Sequence, residues 1–230
     1  MEYIKNNLDE VEERIQAACK RAGRDRSEVQ LIAVSKTVEA DVMNASIDFG
    51  VTDLGENRVQ EIRRKYDDVK AAKWHLIGHL QTNKVKYIID KVDLIHSVDS
   101  YRLAEEISKR AEKHDKIMSI LLQVDMANEA QKFGVDSDEV KSLLDEILKL
   151  EHVKVEGLMF IAPFVSDPEE VRDYFKSMKN LFDELKANRH ERLELKHLSM
   201  GMTNDFEVAI EEGATLLRVG TGVYGKRTYK

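Results

Sequence analysis

The sequence predicts an α/β protein folded as a (β/α)8 barrel. Eight short runs of aliphatic and β-branched residues alternate with stretches whose apolar residues recur at helical spacing. The strand runs are apolar almost throughout instead of alternating, as parallel strands covered on both faces are. The chain of 230 residues contains only two prolines, Pro163 and Pro168, and no Ser/Gly-rich or low-complexity stretch to act as a linker. One domain over 1–230 is the expectation.

Taken in order, Ile4, Leu8, Val11, Ile15 and Ala18 lie three and four apart and give an opening helix with one apolar face. Residues 29–34 (VQLIAV) read as a buried parallel strand. Further strands are expected at 52–54, 74–77, 94–96, 117–124, 153–160, 195–198 and 215–219. Helices are expected at 40–49, 58–69, 84–90, 101–114, 138–148, 169–187 and 205–212. The segment Ser166-Asp167-Pro168-Glu169-Glu170 supplies a cap, a proline suited to the first turn and acids at the positive end of the helix dipole. Asp136 and Glu139 have capping-box spacing, and Gly50 and Gly213 stand where helices stop. Nothing long follows the last strand, so the N-terminal helix is expected to complete the outer layer. A doubly wound open sheet is the competing architecture, but it usually carries a glycine-rich first turn, and here that turn is Ser35-Lys36-Thr37.

Composition removes several functions. Lys and Arg total 36 against 43 Asp and Glu, a net charge of −7, which argues against a phosphate-neutralising nucleic-acid binder. A single cysteine leaves no disulfide framework and no cysteine-based metal cluster. The longest apolar run, 158–164, is far short of a bilayer span, and the charged N-terminus lacks an apolar signal core. A cytoplasmic protein that makes no use of membranes is expected.

Barrels of this kind place their chemistry at the C-terminal ends of the strands. Lys36 ends a strongly apolar strand, where low-dielectric walls favour the neutral amine that attacks carbonyls to form a Schiff base. The alternative is a lysine that snorkels to solvent. Gly201 and Thr203 precede the expected helix at 205–212, and Gly220-Thr221-Gly222 follows the last strand; together they suit an anion, although as glycine turns alone they would serve equally. Arg218 lies within the last strand, so it needs either a carboxylate partner or a ligand heteroatom. Asn57 is either a turn amide or a donor to a ligand oxygen. His75 and His79 are four apart in a strand-like setting, which spoils helical metal-ligand geometry, and Cys19 flanks the apolar stripe of the first helix as a packing residue.

A Schiff-base lysine, an anion cradle and an arginine beside a heteroaromatic ring are the parts needed to hold pyridoxal 5′-phosphate (PLP). The segments IAVSKT (32–37), GENRVQE (55–61), WHLIGHLQTNK (74–84), GLM (157–159), LSMGMTND (198–205) and RVGT (218–221) resemble the YggS-like PLP homeostasis proteins, in the same order and from Leu31 to Arg227. The resemblance implies the fold type III barrel of the alanine racemase N-terminal domain. It also implies that Lys36 carries PLP as a Schiff base, that Ser199, Gly201, Met202, Thr203, Gly220 and Thr221 surround the phosphate, that Arg218 meets the pyridine nitrogen and that Asn57 lies beside the ring. Arg58 stands where the family often has a tyrosine.

Two functions compete on these residues. A carrier would bind PLP and temper its free level, passing it transiently to acceptor apoenzymes; a PLP-dependent amino-acid racemase would turn substrate over. An arginine is a poor proton donor because its pKa stays above about 12, so the ring nitrogen would stay unprotonated and the ring would be a weak electron sink. Two-base racemisation further needs a second acid/base and, by resemblance, a β domain for which the chain has no segment. The carrier, as a monomer, is therefore the expectation. A phosphosugar barrel using Lys36 in aldolase fashion fits the generic parts but not the resemblance over the whole chain.

Overall fold

The structure is a computed structural model, and it describes residues 1–127 and 133–225. Arg227, where the resemblance ends, lies outside the described residues. The strands are β1 (Gln30–Val34), β2 (Asp53–Glu56), β3 (Lys73–Leu76), β4 (Leu94–Val98), β5 (Met118–Asp125), β6 (Val135–Asp136), β7 (Val153–Met159), β8 (Leu193–Met202) and β9 (Leu216–Val219). Their order is β4-β3-β2-β1-β9-β8-β7-β5, and a further β4–β5 pairing closes the ring. Every pairing is parallel. The closed (β/α)8 barrel thus stands as expected, and all eight expected strands are present.

Successive residues of a strand face opposite sides, and the barrel sorts its residues accordingly. Ala33, Leu54, Leu76, Ile95, Leu158 and Leu217 join the large apolar layer between strands and helices. A second, small cluster of Ile32, Leu94, Leu121, Met159 and Leu216 stands apart from that layer. Those five belong to five different strands, two residues from Val34, His96 and Arg218 on β1, β4 and β9, so they share the lumen face. Gly55 on β2 has no side chain because a Cβ there would come within 2.8 Å of Ile32 Cγ2.

The outer layer contains α1 (Glu2–Ala22), α2 (Ala40–Asp48), α3 (Val59–Lys65), α4 (Tyr101–Glu112), α5 (Val140–Ile147), α6 (Arg172–Leu185), α7 (Phe206–Glu211) and the single turn α8 (Thr221–Tyr224). α1 buries Ile4, Val11, Ile15, Ala18 and Cys19, and packs on α2, α7 and α8, so it fills the eighth position of the ring. Arg14 and Arg21 tie it to α7 through Glu207, at 2.8 and 2.9 Å. Asp167 supplies the expected cap with Pro168 in the first turn, and it does so as a capping box with Glu170. Gly50 and Gly213 adopt φ of 99° and 100° and end their helices.

Two expectations need correction, and one element is unforeseen. Residues 84–90 are not an α-helix: Thr82–Tyr87 is a 3-10 helix, whose three-residue turn stacks Val85 and Ile88 on one buried face. Asp136 does not cap the helix that follows, because it is held in the β6 ladder opposite Asp125. The two-residue strand β6 itself was not expected, since two residues carry no periodicity.

Candidate functional site

A cavity of about 580 Å³ opens at the C-terminal end of the barrel. Four consecutive strands around the ring, β2, β1, β9 and β8, deliver Asn57, Lys36, Gly220 and Met202 to it. Thr203 and Thr221 stand in its wall beside Met202 and Gly220, Val34, Ile77 and Ile161 give it an apolar side, and Arg218 reaches it from within β9.

Lys36 is half-buried, and its backbone is fixed from below. The buried Lys65 ammonium donates to the carbonyl of Ser35 at 3.0 Å and to Glu56 Oε1 at 2.8 Å. Ser35 Oγ donates to the same carboxylate oxygen at 2.8 Å. Immediately after Lys36 the chain turns through Thr37 with φ of 66°, a left-handed conformation costly for a β-branched residue. Burial pushes the Glu56 carboxyl up despite Lys65, and its Oε2 has no hydrogen-bond partner. On the next strand, a Cβ on Gly78 would fall 2.3 Å from the Asn57 carbonyl oxygen, so only glycine lets the loop after β3 pass that backbone. Asn57 Oδ1 is buried without a partner.

The loops after β8 and β9 meet through hydroxyls. Thr221 Oγ1 donates to Thr203 Oγ1 at 3.2 Å, and the Gly222 amide donates to the same oxygen at 3.4 Å. Gly201 has φ of 92°, and a Cβ there would press on Ala209 Cβ at 2.7 Å. Asp205 accepts the Met202 amide at 2.6 Å, and burial raises its carboxyl above the ordinary range.

Arg218 is 4% exposed. Its guanidinium donates to Ser199 Oγ at 2.6 Å and to the Phe160 carbonyl at 2.7 Å. Burial pulls its pKa down to about 10, against the opposing charge of Asp205. That is below the value above 12 expected from the sequence, yet the group remains a charged donor at neutral pH.

Of the nine residues singled out in the sequence, seven line the cavity together: Lys36, Asn57, Met202, Thr203, Arg218, Gly220 and Thr221. Ser199 and Gly201 do not. Ser199 is fully buried beneath Arg218, and Gly201 packs on α7 behind the wall. His75 and His79 part company: His75 lies in the interior against Asp53, while His79 stacks on Phe133 with ring centroids 3.8 Å apart. Lys65 went unrecognised, although its position three residues after Ile62 and six after Val59 on α3 places it on the apolar stripe.

Comparison with known proteins gives this geometry a context. The family model "Alanine racemase, N-terminal domain" matches residues 6–228. A pyridoxal phosphate homeostasis protein of Aquifex aeolicus is 49% identical over 224 residues, covering 96% of this chain and 97% of the relative. The chain belongs to the alanine racemase N-terminal domain family and, within it, to the pyridoxal phosphate homeostasis proteins. The Escherichia coli (strain K12) member of that group is 33% identical over 234 residues, covering 100% and 99% of the two chains. PipY of Synechococcus elongatus PCC7942, solved with PLP bound, superposes with a TM-score of 0.83 at 35% identity, covering 96% of this chain and all of PipY. An alanine racemase of Clostridium difficile 630 shares the fold, with a TM-score of 0.72 at 15% identity over 61% of its length.

Proposed function

We propose that the protein binds PLP in this cavity, holds it covalently through Lys36, and contributes to intracellular PLP homeostasis without substantial turnover. The observation that carries the reading is the convergence of Lys36, Asn57, Arg218 and the Thr203–Thr221 hydroxyls on one cavity, together with the PLP seen in PipY.

The residues suit the cofactor on several counts. The apolar side formed by Val34, Ile77 and Ile161 accepts a flat ring, and Asn57 Oδ1 is a buried polar atom in want of a partner. The Thr203 and Thr221 hydroxyls, with the backbone at Gly220, offer donors to a phosphate. Gly201 supports that cradle from behind by its conformation, while Ser199 holds Arg218. When bound, PLP supplies an aldehyde that condenses with amines and a pyridine nitrogen that accepts a hydrogen bond. Lys36 Nζ attacks the aldehyde carbon, and the C=N bond forms with loss of water.

Arg218 argues for storage over catalysis. A guanidinium with a pKa of about 10, already held by Ser199 and Phe160, donates a hydrogen bond to the ring nitrogen and keeps its own proton. The ring then withdraws electrons weakly. Purified protein is expected to show no racemisation of alanine, and robust racemisation contradicts the reading.

The mouth location suits release of PLP to acceptor apoenzymes by exchange. A net charge of −7 favours a monomer, and the charged N-terminus without an apolar signal core favours the cytoplasm; sedimentation and cell fractionation test the two. Among the described residues no helix is long and apolar enough to cross a membrane. Borohydride reduction followed by peptide mapping tests the attachment: a pyridoxyl group on Lys36 is expected, and a label elsewhere, or none, overturns it.

A further inference from the structure

The barrel lumen contains a line of polar groups of which the function above uses only Ser199 and Arg218, at one end. Asp53 Oδ1 on β2 lies 2.8 Å from His75 Nε2 on β3, and His75 Nδ1 lies 3.0 Å from His96 Nε2 on β4. His96 Nδ1 lies 3.0 Å from Ser199 Oγ on β8, which accepts from Arg218 on β9. Strands β4 and β8 are not neighbours in the ring, so the His96–Ser199 contact crosses the lumen. Asp53, His96 and Ser199 are fully buried, and His75 and Arg218 are nearly so.

The two ends dictate the direction. A guanidinium can only donate and a carboxylate can only accept. With neutral imidazoles the bonds therefore run one way: Arg218 to Ser199 Oγ, Ser199 Oγ–H to His96 Nδ1, His96 Nε2–H to His75 Nδ1, and His75 Nε2–H to Asp53. Every donor and acceptor along the line is then satisfied. A doubly protonated His75 would force His96 to donate to Ser199, which would then accept from both His96 and Arg218 and leave its own O–H without an acceptor on the line. Charge agrees with this order. Burial opposes ionisation of Asp53, but hydrogen bonds from His75 and Thr52 outweigh it and hold the carboxyl below its ordinary range. Burial, with His75, Arg218 and His197 facing it, drives His96 well below its ordinary value.

We propose that Asp53, His75, His96 and Ser199 are positioning residues, a one-way hydrogen-bonded relay that brings the counter-charge of Asp53 through the lumen to Arg218 and holds its guanidinium turned toward the cavity. That Arg218 there meets the ring nitrogen of PLP rests on the function proposed above; the relay itself does not. Besides the opposing charge of Asp205, Arg218 needs such a device, since a buried cation is costly unless it is paired and hydrogen-bonded. A direct carboxylate beside it would compete for the N–H groups it offers a ligand. A relay answers the charge from a distance and leaves that face open.

The relay is read first without cofactor. Nitrogen-15 NMR of the full-length protein at neutral pH is expected to show His75 and His96 both protonated at Nε2 and bare at Nδ1. A proton on Nδ1 of either ring overturns the relay. Two variants then test its action on Arg218: Ser199→Ala cuts the line, and Asp53→Asn keeps the acceptor but removes the charge. Each is expected to weaken PLP retention on the order of tenfold while borohydride still labels Lys36, and Ser199→Ala is expected to speed rotation of the Arg218 guanidinium in NMR. Unchanged retention and unchanged guanidinium motion in the folded variants overturn the proposal. Should Asp53→Asn fail to fold, Ser199→Ala and the tautomers decide. Wild-type protein that takes up no PLP sinks the function, while the tautomers still judge the relay.

Discussion

The buried ammonium of Lys65 donates to the carbonyl oxygen of Ser35 at 3.0 Å, one residue before the lysine proposed to hold the cofactor. The same ammonium pairs with Glu56 at 2.8 Å and with Glu61 at 2.9 Å. A charge cluster between barrel and helix thus anchors the turn that carries Lys36. Removing one partner of a buried pair strands the other. Lys65→Met is therefore expected to destabilise the fold by about 3–5 kcal/mol in urea unfolding, and Lys65→Met with Glu56→Leu to recover much of that loss. If the single variant unfolds like wild type, the pair does not hold this turn.

Gly78 tests the approach of two loops. A Cβ there would fall 2.3 Å from the Asn57 carbonyl, and backbone cannot yield as a flexible side chain would. Gly78→Ala is expected to cost about 1–3 kcal/mol and to weaken PLP binding by moving Asn57. Calorimetry and a PLP titration measure the two effects, and a variant with wild-type values in both contradicts the packing described.

His197 makes stability depend on pH. Burial pushes its pKa from 6.5 down to about 4, against the attraction of Glu156. The unfolded chain therefore binds that proton more readily than the folded one. This contribution is complete above pH 6.5 and is lost as the pH falls toward 4, a total of roughly 3 kcal/mol. Melting temperatures across that window are expected to fall less steeply in His197→Gln than in wild type. Parallel curves would show that His197 is not the titrating group.

Much of this was legible in the chain. The eight strands could be read because burial on both faces makes them continuous apolar runs, and α1 could be read from one stripe of Ile4, Val11, Ile15 and Ala18. The strand-end rule found Lys36 and Asn57, and the late glycine–threonine loops found Thr203 and Thr221. The relay was not legible. His75, His96 and Ser199 are separated by 21 and 103 positions, and only the closure of the barrel makes them neighbours. The resemblance, not the residue pattern, put Ser199 at the phosphate; as a strand residue it faces the lumen or the helices by alternation, and its turn fell toward the lumen.

The covalent hold of Lys36 on PLP is the claim most directly exposed to measurement. Lys36→Ala, mixed with PLP and passed through a desalting column, is expected to emerge colourless and to have lost most of its cofactor, while wild type stays yellow. A variant that keeps both the colour and the tight retention would contradict the account.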